Sequence, residues 1–162
     1  MKRIMDKWFF IACLVAAIPA MAGDSARVKS PADAAFTLPS GFTAITSIES
    51  VGKNRHIALN TNGDLYVKTS SAKDHKGIVV LRDKAGDGKL EVVNSFGDYG
   101  GTGIAIKNGY LYASSNTEVF RYKFNDKNEI DPAQTPEKIV TGLVANRQHE
   151  TKSIALDNEG NI

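Results

Sequence analysis

The chain has 162 residues, with 20 Lys and Arg against 18 Asp and Glu, 42% hydrophobic residues and one cysteine. So even a charge balance offers no electrostatic footprint for phosphate backbones or anionic headgroups, which sets nucleic acid and membrane-surface partners aside. A lone cysteine excludes an internal disulfide and a cysteine-ligated metal centre.

The first element in chain order is a targeting segment. Lys2, Arg3 and Lys7 precede an apolar run from Trp8 to Ile18, and Ala20-Met21-Ala22 supplies the small residues of a cleavage site. The run has 11 residues, whereas a bilayer-spanning helix takes about 20. The pattern predicts a secretory signal over residues 1–22, an exported product in the periplasm or the medium, and no stable membrane span. Cys13 lies inside that segment, so the remainder has no thiol. Lys2, Arg3, Lys7 and Asp6 lie there too, which leaves 17 basic and 17 acidic side chains after residue 22.

Residues 23–44 read as a leader, because Gly23, Ser25, Ser30, Pro31, Pro39 and Gly41 break any apolar period before it lengthens. From residue 45 one pattern returns. It runs His56-Ile-Ala-Leu-Asn-Thr-Asn-Gly63-Asp-Leu-Tyr-Val67, then Gly103-Ile-Ala-Ile-Lys-Asn-Gly109-Tyr-Leu-Tyr-Ala113, then Ser153-Ile-Ala-Leu-Asp-Asn-Glu-Gly160-Asn-Ile162. Ile57, Ile104 and Ile154 stand 47 and 50 residues apart, within the roughly 40–50-residue periods of propeller blades.

The rest of the unit repeats as well. Gly77–Arg82 and Leu90–Phe96 read as strands around the turn Asp83–Gly88, and Glu118–Phe124 and Lys138–Leu143 read as strands around Asn125–Asn128. Four short strands joined by Gly, Asn and Asp turns make one blade. The expectation is an all-β partial β-propeller over residues 45–162, with two blades and the start of a third. Ile162 falls in register with Leu65, so the pattern also predicts that the chain is cut inside a strand of a longer ring. Such a fragment is expected to be inactive by itself.

In a propeller, the loops leading from the last strand of one blade into the first strand of the next surround the central channel, where function concentrates. Here they are Ser47–Arg55, Gly97–Thr102 and Val144–Lys152. The third puts Arg147, His149, Glu150 and Lys152 within eight positions. His149 is a candidate general base, since imidazole titrates near neutral pH and accepts a hydroxyl proton at hydrogen-bond distance.

Several segments together carry a family likeness. Gly77-Ile-Val-Val-Leu-Arg-Asp83, Phe96-Gly-Asp-Tyr-Gly-Gly-Thr-Gly-Ile-Ala-Ile106, Gly109-Tyr-Leu-Tyr-Ala-Ser-Ser115 and Arg147-Gln-His-Glu-Thr-Lys-Ser-Ile154 resemble the N-terminal part of the L-sorbosone dehydrogenase family. That family is related to the soluble quinoprotein glucose dehydrogenases. The resemblance implies a six-bladed propeller that holds pyrroloquinoline quinone (PQQ) in its channel, oxidises a sugar or sugar aldehyde and passes electrons to an external acceptor. It implies His149 as the catalytic base, Gln148 and Arg147 as cofactor contacts, and calcium ligands beyond this chain.

Other motifs carry less. Gly97-Asp-Tyr-Gly-Gly-Thr-Gly103 lacks the lysine and the strand-loop-helix setting of a phosphate cradle and reads as a tight turn beside the channel. Asp83-Lys-Ala-Gly-Asp-Gly88 echoes a calcium loop, but Ala85 and Asn94 stand at two ligand positions, so a hairpin turn is expected. His56 and His75 read as surface residues with no metal-ligand spacing. Tyr66, Tyr110, Tyr112, Tyr122, Phe120 and Phe124 are expected to pack between blades. Two other functions fit the same repeat: a non-catalytic propeller that binds a protein or glycan, and a metal-dependent lactonase.

Overall fold

The computed structural model describes residues 37–146, 150 and 152–162. Its strands are β1 (Asn54–Leu59), β2 (Leu65–Thr69), β3 (Ile78–Arg82), β4 (Glu91–Phe96), β5 (Ile104–Lys107), β6 (Tyr110–Ser114), β7 (Val119–Lys123) and β8 (Glu137–Val140). They form two four-stranded antiparallel sheets, β1-β2-β3-β4 and β5-β6-β7-β8, each in sequence order. These are two β-propeller blades, with the leading strands β1 and β5 side by side.

The turns explain why the chain reverses where it does. Asn108 and Gly109 both have positive φ, 48° and 77°, which is the two-residue hairpin geometry that matches the twist of β5 and β6. At the other type of turn, Asn60 N–H donates to Asp64 O at 2.9 Å and Gly63 N–H to Asn60 O at 3.0 Å. Asp157 N–H to Asn161 O and Gly160 N–H to Asp157 O, at 3.0 and 3.2 Å, repeat that pattern. The third copy of the repeat therefore folds its turn like the first, although residues 152–162 contain no strand.

Side-chain alternation then decides what each sheet presents. Tyr66, Ile78, Val80 and Phe96 of the first sheet are buried in one cluster with Ile104, Leu111, Ala113 and Tyr122 of the second and with Phe124 and Ile130 between β7 and β8. Tyr66 meets Phe124 edge-on at 5.7 Å between ring centres, Phe96 meets Tyr122 at 5.0 Å, and Tyr99 stacks on Phe120 at 4.2 Å. Fully burying one such side chain stabilises the fold by about 1.5–3 kcal/mol, so this interface is the main apolar term joining the blades.

Tyr110 and Tyr112 lie on the other face of the second sheet, the side from which Ser114 reaches the third copy of the repeat. Tyr112 pairs with Arg121, whereas its neighbours Leu111 and Ala113 pair with Tyr122 and Phe120 of the core. Period-two alternation thus turns Tyr112 to the far face of the second sheet. The far face of the first sheet is apolar: Val67, Val79 and Leu81 cluster there under Ile48, Val51, Leu65 and Leu90. Ile57 and Leu59, paired with Val67 and Leu65, share that face and remain 63% and 69% exposed.

Candidate functional site

The candidate site is the edge at which the inter-blade loops gather, and Gly97–Gly103 is its described centre. Its path is pinned by backbone bonds, from Gly77 N–H to Gly97 O at 2.9 Å and from Gly101 N–H to Thr69 O at 3.1 Å. The glycine-rich composition follows from crowding. A Cβ on Gly101 would overlap the Ser114 carbonyl oxygen, and one on Gly103 would stand 2.5 Å from the Lys152 carbonyl oxygen. The loop is a tight turn laid against its neighbours.

Beneath it lies a lysine on the same strand face as Tyr66, where its charge alone would have suggested solvent. Lys68, at 0% exposure, donates from Nζ to Gly77 O at 2.9 Å and to Tyr99 O at 2.7 Å. The same ammonium stands 4.5 Å from the centre of the Tyr99 ring. Burial in this apolar setting lowers its pKa from the ordinary 10.5 to about 7. Tyr99 Oη and Tyr122 Oη are 3.2 Å apart, and burial pushes both phenols upward.

The second sheet holds its own following loop. Gly103 N–H donates to Ser114 Oγ at 2.9 Å, and Ser114 Oγ donates to the Lys152 carbonyl at 2.5 Å. Asn116 Nδ2 donates to the Glu150 carboxylate at 2.7 Å, and Lys152 Nζ donates to the Glu150 carbonyl at 2.6 Å. Thr102, 8% exposed, has a buried Oγ1 with no hydrogen-bond partner among the described residues.

His149, Gln148 and Arg147, the base and cofactor contacts expected from sequence, lie outside the described residues. What the structure brings together is their frame: Glu150 and Lys152 on one side, with Ser114, Asn116 and Gly103 against them. The first loop serves the first sheet, since Ile48 and Val51 pack on Val67, Val79 and Leu81. His56 is exposed on β1, and His75 lies in the short 3-10 turn Lys73–His75.

Asp83 turns its carboxylate into its own loop, accepting the N–H groups of Gly86, Asp87 and Gly88 at 2.6, 3.2 and 2.8 Å. These donors hold its pKa below the ordinary carboxylate value, with Gly88 the largest contributor. The segment is a hairpin turn, as its sequence suggested. No three His, Cys, Asp or Glu side chains converge among the described residues, and none of their helices is long and apolar enough to cross a membrane.

Sequence reasoning did not single out Lys68, Ser114, Asn116 or Thr102. The signal for the first two was present: Leu65-Tyr-Val-Lys68 and Leu111-Tyr-Ala-Ser114 align in the repeat, and both lie in the second strand of a blade, at or next to its end.

A profile of the family described as TrAA12-like matches residues 36–161. The chain belongs to the TrAA12-like family. A calcium structure of the carbohydrate-active enzyme family AA12 from Trichoderma reesei is similar to this TrAA12-like chain at 25% identity and a TM-score of 0.51, covering 72% of this chain and 29% of the other. The holo form of the pyranose dehydrogenase PQQ domain from Coprinopsis cinerea is similar at 20% identity and a TM-score of 0.54, covering 70% and 27%. The second likeness shows the shared fold alone. No curated protein matches the chain. The TrAA12-like chain spans less than a third of the length of these solved structures.

Proposed function

We propose that this chain forms part of an exported quinoprotein dehydrogenase that oxidises a sugar or sugar aldehyde, of glucose or sorbosone type, and passes electrons to an external acceptor. The TrAA12-like family match over residues 36–161 is the observation that carries this reading. The signal-like segment at residues 1–22 supports export.

The residues of the third inter-blade loop suit a quinone that bears carboxylates. Lys152 Nζ has three N–H donors, of which one is placed on the Glu150 carbonyl among the described residues, so the group can also donate to an anionic ligand. Arg147 and Gln148 add donors on the same loop. When bound, PQQ supplies the hydride acceptor. An imidazole nitrogen of His149 would accept the proton of the substrate hydroxyl, while Arg147, Gln148 and Lys152 would hold the quinone. Calcium has no ligand group of three acidic or histidine side chains among the described residues.

The test uses the exported protein that contains this chain, loaded with PQQ and calcium, with dye reduction followed on aldoses and sorbosone. His149→Ala is expected to lower the rate by about 100-fold or more, the contribution of a positioned general base. Equal activity in the variant would remove His149 from the mechanism. Failure to take up the quinone would return the protein to the ligand-binding reading, and a stoichiometric metal without quinone would favour the lactonase.

A further inference from the structure

Lys68 and Ser114 occupy the same place in successive blades, the last positions but one and last of β2 and β6. Each sends its side chain to a backbone carbonyl of the loop that enters the next blade. Lys68 Nζ reaches Tyr99 O at 2.7 Å, and Ser114 Oγ reaches Lys152 O at 2.5 Å. Both are 0% exposed. Each also ties a second backbone group: Gly77 O for Lys68 and Gly103 N–H for Ser114.

Two chemically unlike side chains thus make one kind of contact at one repeat position. Apolar packing alone would favour an aliphatic residue at a fully buried site, since an amine or hydroxyl is costly there unless it is hydrogen-bonded. The lysine reaches further along its loop than the serine. Tyr99 stands five residues before Ile104, whereas Lys152 stands two before Ile154. Tyr99 is therefore the register counterpart of His149.

We propose that Lys68 and Ser114 are positioning residues: each clasps the backbone of the loop that enters the next blade and so sets where that loop's side chains stand on the channel face. The clasp rests on the hydrogen bonds alone. Its consequence for chemistry rests on the quinoprotein reading.

Hydrogen exchange on the full chain, read beside PQQ binding, separates the two. In Ser114→Ala, the amides of Gly103 and Lys152–Ile154 are expected to exchange about fivefold faster or more, while those of Leu111 and Tyr122 keep the wild-type rate. In Lys68→Met, which keeps the length and apolar stem, the faster amides are expected to be Gly77 and Gly100–Gly103. PQQ affinity is expected to fall in both variants. Uniform acceleration through both sheets would mean that the residues only hold the blades together, and unchanged loop exchange would mean that they clasp nothing; either result overturns the proposal.

If Lys68→Met does not fold, the wild-type chain labelled with 15N-lysine answers the question. A Nζ signal protected from solvent exchange is expected, and a freely exchanging one overturns the clasp. PQQ binding is measured on the exported protein that contains this chain; if its wild type binds no PQQ, the quinone reading fails and the exchange result alone judges the clasp.

Discussion

Lys68 Nζ lies 2.7 Å from the carbonyl oxygen of Tyr99 and 4.5 Å from the centre of the same residue's ring, so one amine meets both the backbone and the side chain of Tyr99. An ammonium has three N–H donors, and here two reach carbonyls while the ring faces the charge. A neutral amine has two donors, enough for both carbonyls. The pocket suits either state, and burial favours the neutral one.

That preference sets a pH dependence. The folded amine titrates near 7 and the unfolded one near 10.5. Between those values the unfolded chain binds more protons, so unfolding free energy rises with pH; below about 7 both forms are charged and the penalty is constant. Above 10 the raised phenols of Tyr99 and Tyr122 oppose the trend, because only the unfolded chain loses those protons. Urea unfolding is therefore expected to show stability climbing from pH 7 to about pH 10, by at most about 5 kcal/mol. Lys68→Met is expected to flatten the climb, and an equally steep profile in that variant would remove Lys68 as its source.

Arg82 joins the blades at the opposite edge. Its Nε and Nη2 donate to the two Asp64 oxygens at 2.6 and 2.7 Å, and Nη2 also reaches Glu129 of the second blade at 2.6 Å. Asp64 is 1% exposed and Glu129 is 38% exposed, so the two acids respond differently to losing the arginine. Arg82→Met strands a buried carboxylate and is expected to cost about 3–5 kcal/mol. Glu129→Gln removes a solvated partner and is expected to cost about 1 kcal/mol or less. Denaturant midpoints of the two variants check the contrast.

The repeat was legible because apolar alternation and Gly or Asn turns are local signals, and Ile57 and Ile104 mark strands that the structure confirms. Tyr66 and Phe124 could be expected at the interface for the same reason. Tyr112 stands in the repeat register of Tyr66, one blade further on, so the same alternation turns it to the second blade's other face. Lys68, by contrast, was illegible. A lysine in a strand normally reports a solvated position, and only the carbonyls of Gly77 and Tyr99, brought in from 9 and 31 residues away, make a buried one tolerable.

Within the interface, shape and polarity can be separated. Phe96→Ala empties the site beside Tyr122 and is expected to cost about 3–5 kcal/mol. Tyr122→Phe keeps that volume but leaves the Tyr99 hydroxyl without its partner, an expected loss of about 1 kcal/mol. Calorimetric unfolding would rank them, and an equal or reversed order would mean that the hydroxyl pair outweighs the ring.

Two glycines give a last contrast, because each is required for a separate reason. Gly63 has φ of +88° and open space around it, so an added methyl group meets no atom but forces a side chain into a left-handed backbone. Gly63→Ala is expected to cost about 1–2 kcal/mol, with the loops of the candidate site undisturbed. At Gly101 the methyl would overlap the Ser114 carbonyl and crowd Ser115, both backbone groups that cannot rotate away. Gly101→Ala is therefore expected to cost about 1–3 kcal/mol and to move the Gly97–Gly103 loop off Thr69. Amide exchange at Gly101, which donates to Thr69 O, distinguishes them: it should rise sharply in Gly101→Ala and stay unchanged in Gly63→Ala. If Gly63→Ala loosened the same amide, the loop would be governed by the blade as a whole rather than by the close approach at Gly101.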